Sequence, residues 1–491
     1  MEKLDVLIIG GGLLGCFAAR EMGRYKLNTA VIEAREDVCT GISRANTAII
    51  YSGYDTAPGT LKTEMCLRSC AGFDALCGEL GVRLSRCGSL MISLGERGDG
   101  VLRDKYAQGL QNGVEGLRLL SGGEVLGMEP KLTDKVSLGL FSPTTGTVNP
   151  WELGIAAYEN ALKNGVCFRF GEKVTAISPS GGGYAVETDK EAYFARCIIN
   201  CAGLYSDKMR EMCFRPKVRI FPKRGDYLIF DKSEGGIISR VIFHEPEHKG
   251  KGLTAVPTVD GNLLIGPSQL PLEGEWDYST TEEGMEDLLK LCGEILPSLN
   301  TGALIRSFGA LRPNPFHVER QPDGSYLREK RGISSFTILT DGEGSFLSFV
   351  GIKTPGLTCA RELGAYAAVS AAEYLGAEEN PRFDPLRPAP LSLAHASAGL
   401  RLEAIKKDPA YGRIVCRCAG ISEGEVIDAI RRGASTIDGV KRRAGTGMGR
   451  CQGGFCSSRI MEIIARERGV PLSQVAKDGP GSTIAGGIEN V

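Results

Sequence analysis

Residues 5–33 restrict the fold of this chain more than any other stretch. Asp5 to Ile9 (DVLII) is a short apolar run ended by glycine, the pattern of a parallel strand buried on both faces. Gly10-Gly11-Gly12-Leu13-Leu14-Gly15 supplies G-x-G-x-x-G, Cys16 to Arg24 reads as a helix, and Asn28 to Glu33 as a second strand that ends on an acid. Each part has a physical task. Gly10 permits a tight turn, Gly12 lets backbone approach a pyrophosphate, and Gly15 allows close packing of helix on strand, while the helix N-terminus attracts phosphate charge. Glu33 is placed to hydrogen-bond a ribose hydroxyl, with Leu14 and Ala34 completing the lining. A lone G-x-G-x-x-G is often only a glycine turn, but strand, glycines, helix, strand and terminal acid in one unit specify a dinucleotide. The unit does not itself separate FAD from NAD.

At 491 residues the chain exceeds one ordinary core, so two or three domains are expected. A net charge of -1 gives no global reason to expect nucleic acid or an anionic membrane as partner. No stretch approaches the roughly 20 apolar residues that span a bilayer. The N-terminus resembles a signal h-region only superficially, since Asp5 and three glycines fit a strand and turn better, and a cytoplasmic protein is expected. The 16 cysteines are mostly scattered. Cys66, Cys70 and Cys77 sit in a helical-looking segment as small hydrophobes, and only the last four are spaced like ligands.

Four further segments settle the cofactor by resemblance. Gly41 to Tyr54 (GISRANTAIIYSGY), Lys173 to Ile177 (KVTAI), Ile198 to Asp207 (IINCAGLYSD) and Gly351 to Gly364 (GIKTPGLTCARELG) occur in the order found in the D-amino-acid oxidase-like superfamily of FAD oxidoreductases. The resemblance covers about residues 1–378 and is closest to the anaerobic glycerol-3-phosphate dehydrogenase large subunit and the L-2-hydroxyglutarate oxidase-like group. RGDYLIFDK (Arg224 to Lys232), GKGLTAVPTVDGNLLIGP (Gly250 to Pro267) and PGLT (Pro355 to Thr358) carry that closer likeness. It implies an α/β and α+β fold: a Rossmann-type, glucose-reductase-like FAD domain with an inserted antiparallel-sheet substrate domain. It also implies FAD contacts at Ser43, Arg44, Asn46, Thr47, Val174, Ala202, Gly203, Gly351, Gly356, Leu357 and Thr358, with a helix N-terminus facing the pyrimidine end of the flavin.

Substrates in that family are hydroxy acids or phosphates, so cations over the flavin are expected. Arg312, in GALRP, is the leading anion clamp, because a guanidinium binds carboxylate or phosphate bidentately, and an inter-domain ion pair is its structural alternative. Lys251, Arg224 and Lys353 are weaker candidates. Tyr51 stands where many relatives have histidine, and a phenol with an ordinary pKa near 10 is a poor base at neutral pH. Of only four histidines, His244 in IFHEPEHKGKG is the second candidate for that role.

After about Leu375 the composition changes. ENPRFDPLRPAPLSLAHAS is proline-rich, lacks periodicity and reads as a linker. Beyond it stand Cys416 and Cys418 in IVCRCAG, then Cys451 and Cys456 in GRCQGGFC. Ser422 to Glu425 forms a capping box that opens a helix with Val426, Ile427 and Ile430 inward, and a second helix runs from near Cys456 to Gly469. Two close cysteine pairs suit structural zinc or an iron–sulfur cluster, or remain free thiols. The spacing C-x-C then C-x4-C resembles the bacterioferritin-associated-ferredoxin-like [2Fe-2S] domain. Glycines near Cys451 would offer backbone N–H groups, a helix N-terminus would favour a Cys456 thiolate, and Lys441, Arg442 and Arg443 would offset cluster charge.

The expected organisation is an FAD-dependent oxidoreductase over 1–378, with FAD-domain segments about 1–90, 140–212 and 332–378 and substrate-domain segments about 91–139 and 213–331. A linker at 379–410 and a [2Fe-2S] domain at 411–480 follow. A flavin takes a hydride and a cluster passes one electron at a time, so the expectation is a dehydrogenase for glycerol 3-phosphate or a 2-hydroxy acid with a separate electron acceptor or partner subunit. An amino-acid or amine dehydrogenase with the same cofactors, or a non-catalytic electron-transfer subunit, are the alternatives.

Overall fold

The structure is a computed structural model that describes residues 1–245, 252–269, 272 and 276–485. The opening unit folds as the strand Glu2–Ile9, the helix Leu13–Met22 and the strand Thr29–Ile32. The helix starts three residues earlier than the Cys16 of the sequence reading, because Gly12 is its extended N-cap (φ -68°, ψ 178°). Leu14 and Gly15 therefore lie in its first turn, where amides point outward.

Glu2–Ile9 sits mid-sheet, parallel to Thr29–Ile32 on one side and to Ala192–Asn200 on the other. Phe346–Val350 continues the sheet beyond Ala192–Asn200 in parallel, so residues near 9, 200 and 350 end side by side. The apolar run is continuous, not alternating, because both faces are covered. Val6 and Ile8 pack with Met22, Leu363 and Ala367, while Leu7 and Ile9 pack with Tyr184, Ile198 and Phe346. The covering helices include Gly356–Leu375, Pro150–Lys163 and Leu61–Leu80, and the last buries Cys66, Cys70 and Cys77 as the sequence suggested.

A second sheet of eight strands forms the substrate-side layer. At one edge Leu304–Arg312 pairs antiparallel with Lys223–Phe230, and further in Val241–His244 pairs antiparallel with Thr254–Pro257. Among the described residues its single departure from an antiparallel sheet is the parallel pairing of Val241–His244 with Ser89–Ser93. The helix Glu282–Ile295 buries Leu288, Cys292 and Ile295 against it. These are the two layers expected from the sequence: a Rossmann-type sheet and an inserted, largely antiparallel one.

The range read as a linker contains the helix Ala398–Lys407, and its proline-rich part is tied down. The Asn160 amide donates to the carbonyls of Asp384 (3.0 Å) and Leu386 (3.3 Å). The buried Arg387 donates to Glu159 (2.7 Å) and to the Leu80 carbonyl (3.2 Å). Periodicity reports regular elements only, so a tract ordered by side chains of other elements shows none. The capping box at Ser422 and Glu425 forms as read, opening the helix Glu423–Arg431, and Ser457–Arg468 follows the N-cap Cys456. Between them lies the helix Ile437–Ala444, which the sequence reading missed: its basic run Lys441-Arg442-Arg443 is its last turn. Among the described residues no helix is long and apolar enough to cross a membrane.

Candidate active site and cysteine module

Steric necessity shapes the glycine loop. Gly10 has φ +101°, and a β carbon there would lie 2.7 Å from the Cys201 carbonyl oxygen, while one on Gly15 would run into the Gly10 carbonyl. Gly12 differs: the nearest atom to a β carbon is Ser43 Oγ at 3.4 Å, so this side of the loop stays open. Ser43 Oγ accepts from the Leu13 amide (2.9 Å), the first of the helix, while the N-cap Gly12 has no side chain to offer the amides that follow. Glu33 points into the loop, accepting from the amides of Gly11 (2.6 Å) and Arg35 (2.9 Å); burial raises its carboxyl pKa against those bonds. Ala34 is exposed beside it.

Three further segments close on this loop. Asn46 accepts from the Ala48 amide (2.7 Å) and donates to the Ser43 carbonyl (2.8 Å), holding Ala48 at φ +59°. Asn200 turns the chain after its strand by accepting from the Ala202 amide (3.2 Å), and Gly203 faces Ile42. Val174 is buried at the start of its own strand. Thr358 Oγ1 accepts from the Tyr51 amide (3.1 Å), which joins the 41–51 segment to Gly356–Leu375, a helix whose N-terminus again has no side-chain cap. Gly351 (φ +67°), Gly356 and Leu357 lead into it. Two helix N-termini with no cap from their own N-cap residues, a half-buried acid at the end of the second strand and an open glycine face fit an FAD.

Around Tyr51 the structure gathers cations. Arg312 donates to the Tyr227 hydroxyl, and its charge reaches Tyr51. Tyr51 stacks on Phe243 (centroids 6.1 Å) and hydrogen-bonds Thr47. Burial pushes the Tyr51 pKa up to about 12, although Thr47 and Arg312 pull the other way, so this phenol is a hydrogen-bonding group and not a base. Lys353 is held below its ordinary value by burial and by the charges of Lys62, Lys223 and Arg312; burial lowers Lys62 too. Among the described residues none of these four cations has a carboxylate in ion-pair contact. Lys62 donates to the Ser334 carbonyl (3.1 Å) and Lys353 to Asn314 (3.4 Å), and the nearby Asp55 is paired with Lys105.

Other candidates fall elsewhere. Arg224 is spent on Asp277 (2.6 Å), and Lys251 lies outside the described residues. His244 follows Phe243 on one strand, and successive side chains point to opposite faces, so it lies on the sheet face away from Tyr51. Lys62, Lys223 and Tyr227 were missed. Lys62 looks like any helix-surface lysine, and only the register Lys223 to Arg312 brings Lys223 in.

The cysteines meet as two pairs. Cys418 and Cys451 have their sulfurs 3.8 Å apart, and the Cys456 thiol donates to Cys416. Among the described residues no three His, Cys, Asp or Glu side chains converge to hold one metal ion. Two separate sulfur pairs suit a two-iron cluster, each iron taking one pair, better than a single tetrahedral zinc. The Cys456 bond lowers the Cys416 pKa to about 5, helped by backbone N–H groups of Gly447, Ala419 and Cys418. Backbone N–H groups of Phe455 and Gly453 lower Cys451, as the glycines there suggested. Cys456 departs from expectation: donating a hydrogen bond to Cys416 holds its proton in place and, with burial, raises its pKa, despite its place at a helix N-terminus.

The basic run does not serve the cysteines as expected. Arg443 grips Asp37 with both terminal nitrogens (2.7 and 2.8 Å). Arg442 bridges Asp37 (3.1 Å) and Asp478 (2.8 Å), and Asp478 also pairs with Arg44 (2.8 Å). The side chains of Arg442, Arg443 and Asp37 are 4%, 1% and 5% exposed. Burial alone would raise Asp37, but the two guanidinium groups outweigh it and hold the carboxyl low. This latch grips the same two stretches that build the dinucleotide cradle, the turn after Glu33 and the segment of Ser43 and Arg44. The strand Leu304–Arg312 spans the two halves: Arg306 donates to Gln452 (3.0 Å) beside Cys451, and Arg312 lies six residues, roughly 20 Å, along it.

Comparison with known proteins agrees with this construction. The FAD dependent oxidoreductase family pattern matches residues 5–369, and the BFD-like [2Fe-2S] binding domain pattern matches 414–466. A glycerol 3-phosphate dehydrogenase of Caloramator mitchellensis is 40% identical over 98% of each chain. An L-2-hydroxyglutarate dehydrogenase of Bos taurus is 28% identical, covering 55% of this chain and 61% of that one. The solved structure of dithionite-reduced L-α-glycerophosphate oxidase from Mycoplasma pneumoniae with FAD bound superposes at TM-score 0.72 and 26% identity, over 80% of this chain and all of that one.

Proposed function

The chain belongs to the FAD dependent oxidoreductase family, and from that premise we propose that it is a dehydrogenase of glycerol 3-phosphate that delivers electrons one at a time to a separate acceptor. It is an enzyme of the glycerol-3-phosphate dehydrogenase-like kind, and its cofactors are FAD and a [2Fe-2S] cluster. Residues 1–378 carry the flavin and substrate, and 411–480 carry the cluster.

The observation that carries the substrate reading is the set Arg312, Lys353, Lys62 and Lys223, cations grouped about Lys353 with Arg312 also acting on Tyr51, and without a paired carboxylate among the described residues. Lys353, held low by burial and by the charges of Lys62, Lys223 and Arg312, marks a place for an anion, and a phosphate dianion fits it better than a single carboxylate. When bound, FAD supplies a hydride acceptor at N5 and the cluster a one-electron carrier. Arg312, oriented by its bond to Tyr227, clamps the phosphate, while the lysines neutralise it. Tyr51 positions the substrate hydroxyl through its own hydroxyl and stays protonated. With His244 turned away, water takes the hydroxyl proton as the C–H hydride leaves. Cys416 with Cys456 and Cys418 with Cys451 hold the cluster, Arg44, Ser43, Asn46 and Thr47 belong to the flavin cradle, and Asp37 with Arg442 and Arg443 keeps cluster and flavin in one body.

The test is anaerobic bleaching of the flavin by each substrate class. Glycerol 3-phosphate bleaches it at low concentration, and Arg312→Gln raises the concentration needed by about 100-fold, the loss of a charge-assisted bidentate contact. Preferential bleaching by 2-hydroxyglutarate or by an amino acid reassigns the substrate. No bleaching by any of them would make the chain an electron-transfer subunit.

A further inference from the structure

A cavity of about 580 Å³ lies at the seam between the cluster module, the tied-down 389–395 tract and the flavin-binding body, and none of the Tyr51 group lines it. Its size is that of a small-molecule pocket. Cys418 forms part of its wall, together with Lys441, Lys232, Arg442 and Arg450.

The charges of that wall do not balance. Each lining carboxylate is already engaged. Glu152 and Asp260 pair with Arg83 (3.2 and 2.8 Å), Asp231 with Arg450 (3.1 Å) and Asp428 with Arg432 (2.7 Å). Glu425 accepts from Ser422 (2.7 Å) and the Leu393 amide (3.0 Å). Arg442 and Arg443 share Asp37. Two ammonium groups remain, Lys441 within and Lys232 at the exposed rim, neither in ion-pair contact with any described carboxylate. Arg442 also keeps a buried Nε–H without an acceptor among the described residues. Lys441 bears the strain of this arrangement: burial, then the charges of Arg306, Lys477 and Arg442, bring its pKa down to about 8. A partly buried ammonium among cations, beside an unused guanidinium donor and open volume, is the donor set of an anion site.

We propose that this seam is a second anion site, which takes a small phosphate-class dianion, inorganic phosphate or a phosphate monoester, through Lys441, Lys232 and Arg442. An anion there joins three parts of the molecule and places negative charge beside Cys418. It therefore tightens the docking of the module and makes the cluster harder to reduce.

The test uses the full-chain holoenzyme. Calorimetric titration with inorganic phosphate shows a site that Lys441→Gln weakens by at least about tenfold and Lys441→Arg restores. Phenyl phosphate distinguishes the source: tighter binding than phosphate points to a monoester, equal binding to the inorganic anion. A redox titration of the cluster, followed by electron paramagnetic resonance, moves to lower potential with phosphate in the parent protein and does not move in Lys441→Gln. Retained flavin and iron–sulfur absorption bands show that the variant is folded. Arg312→Gln leaves the Lys441-dependent site intact, so failure of the substrate reading would not remove it. Phosphate binding unchanged in Lys441→Gln, or a cluster potential indifferent to saturating phosphate, would overturn the proposal.

Discussion

The flavin cradle and the cysteine module are built on opposite plans. The cradle gathers segments near residues 10, 43, 202 and 356, and its shape follows from backbone sterics: Gly10 and Gly15 have no room for a β carbon. The module is local, four cysteines within 41 residues, held by a capping box and short amphipathic helices. Buried charge then fastens one to the other, through Asp37, Arg442, Arg443, Asp478 and Arg44. A fold can therefore lose its cluster and keep its flavin, whereas damage to the cradle removes the surface on which the module docks.

The largest effect breaks that asymmetry directly. Gly15→Val forces a side chain into the Gly10 carbonyl, and the purified chain is expected to contain neither flavin nor a docked module. Cys451→Ser is expected to lose the iron–sulfur absorption and keep both flavin content and anaerobic bleaching. Cofactor content of the two variants, read from visible spectra, checks the pair; loss of flavin in Cys451→Ser would contradict it.

Next comes the latch. Asp37→Ala leaves two buried guanidinium groups without their carboxylate and is expected to cost about 3–5 kcal/mol of docking. Limited proteolysis within 379–410 should accelerate accordingly, with the flavin retained. Equal cleavage rates would show that the ion pairs do not hold the module.

The same contact sets a pH window. Asp37 is held below its ordinary carboxyl value, and Asp478 is brought down to about 2 because Arg442 and Arg44 outweigh its burial. A depressed carboxyl contributes stability above its unfolded pKa of about 3.9 and loses it as pH falls through the folded value. Docking is thus expected to stay constant from neutral pH to about 4 and to weaken from there towards 2, which proteolysis with an acid protease can follow.

Much of this was legible in the sequence for physical reasons. The dinucleotide unit is readable because strand, turn, helix and acid are contiguous and sterically demanding. The capping box at Ser422 and Glu425 is readable because both partners lie within one turn. Lys62, Lys223 and Tyr227 were not, since strand register and helix placement bring them together from two regions. The basic run misled for the same reason: nothing local shows that Arg442 and Arg443 seek an aspartate about 400 residues earlier. The tied-down 379–396 tract has no period because its order comes from Asn160 and Arg387.

The smallest effect concerns Tyr51. A phenol with its pKa up at about 12 accepts no proton at neutral pH, so Tyr51→Phe removes only a hydrogen bond. Its bleaching rate should fall by no more than about tenfold, with the shape of the pH profile unchanged. A large loss with an altered profile would make Tyr51 an acid–base group.

The central claim is that electrons enter as a pair at the flavin and leave singly through the cluster of the same chain. Rapid mixing of the oxidised holoenzyme with glycerol 3-phosphate without oxygen, with absorbance and electron paramagnetic resonance followed together, tests it most directly. The account expects flavin bleaching followed by the signal of a reduced [2Fe-2S] cluster, with Cys451→Ser bleaching and giving no such signal. Flavin bleaching without any cluster signal in the parent protein, or rapid stoichiometric peroxide formation in air that survives loss of Cys451 and Cys456, would contradict it.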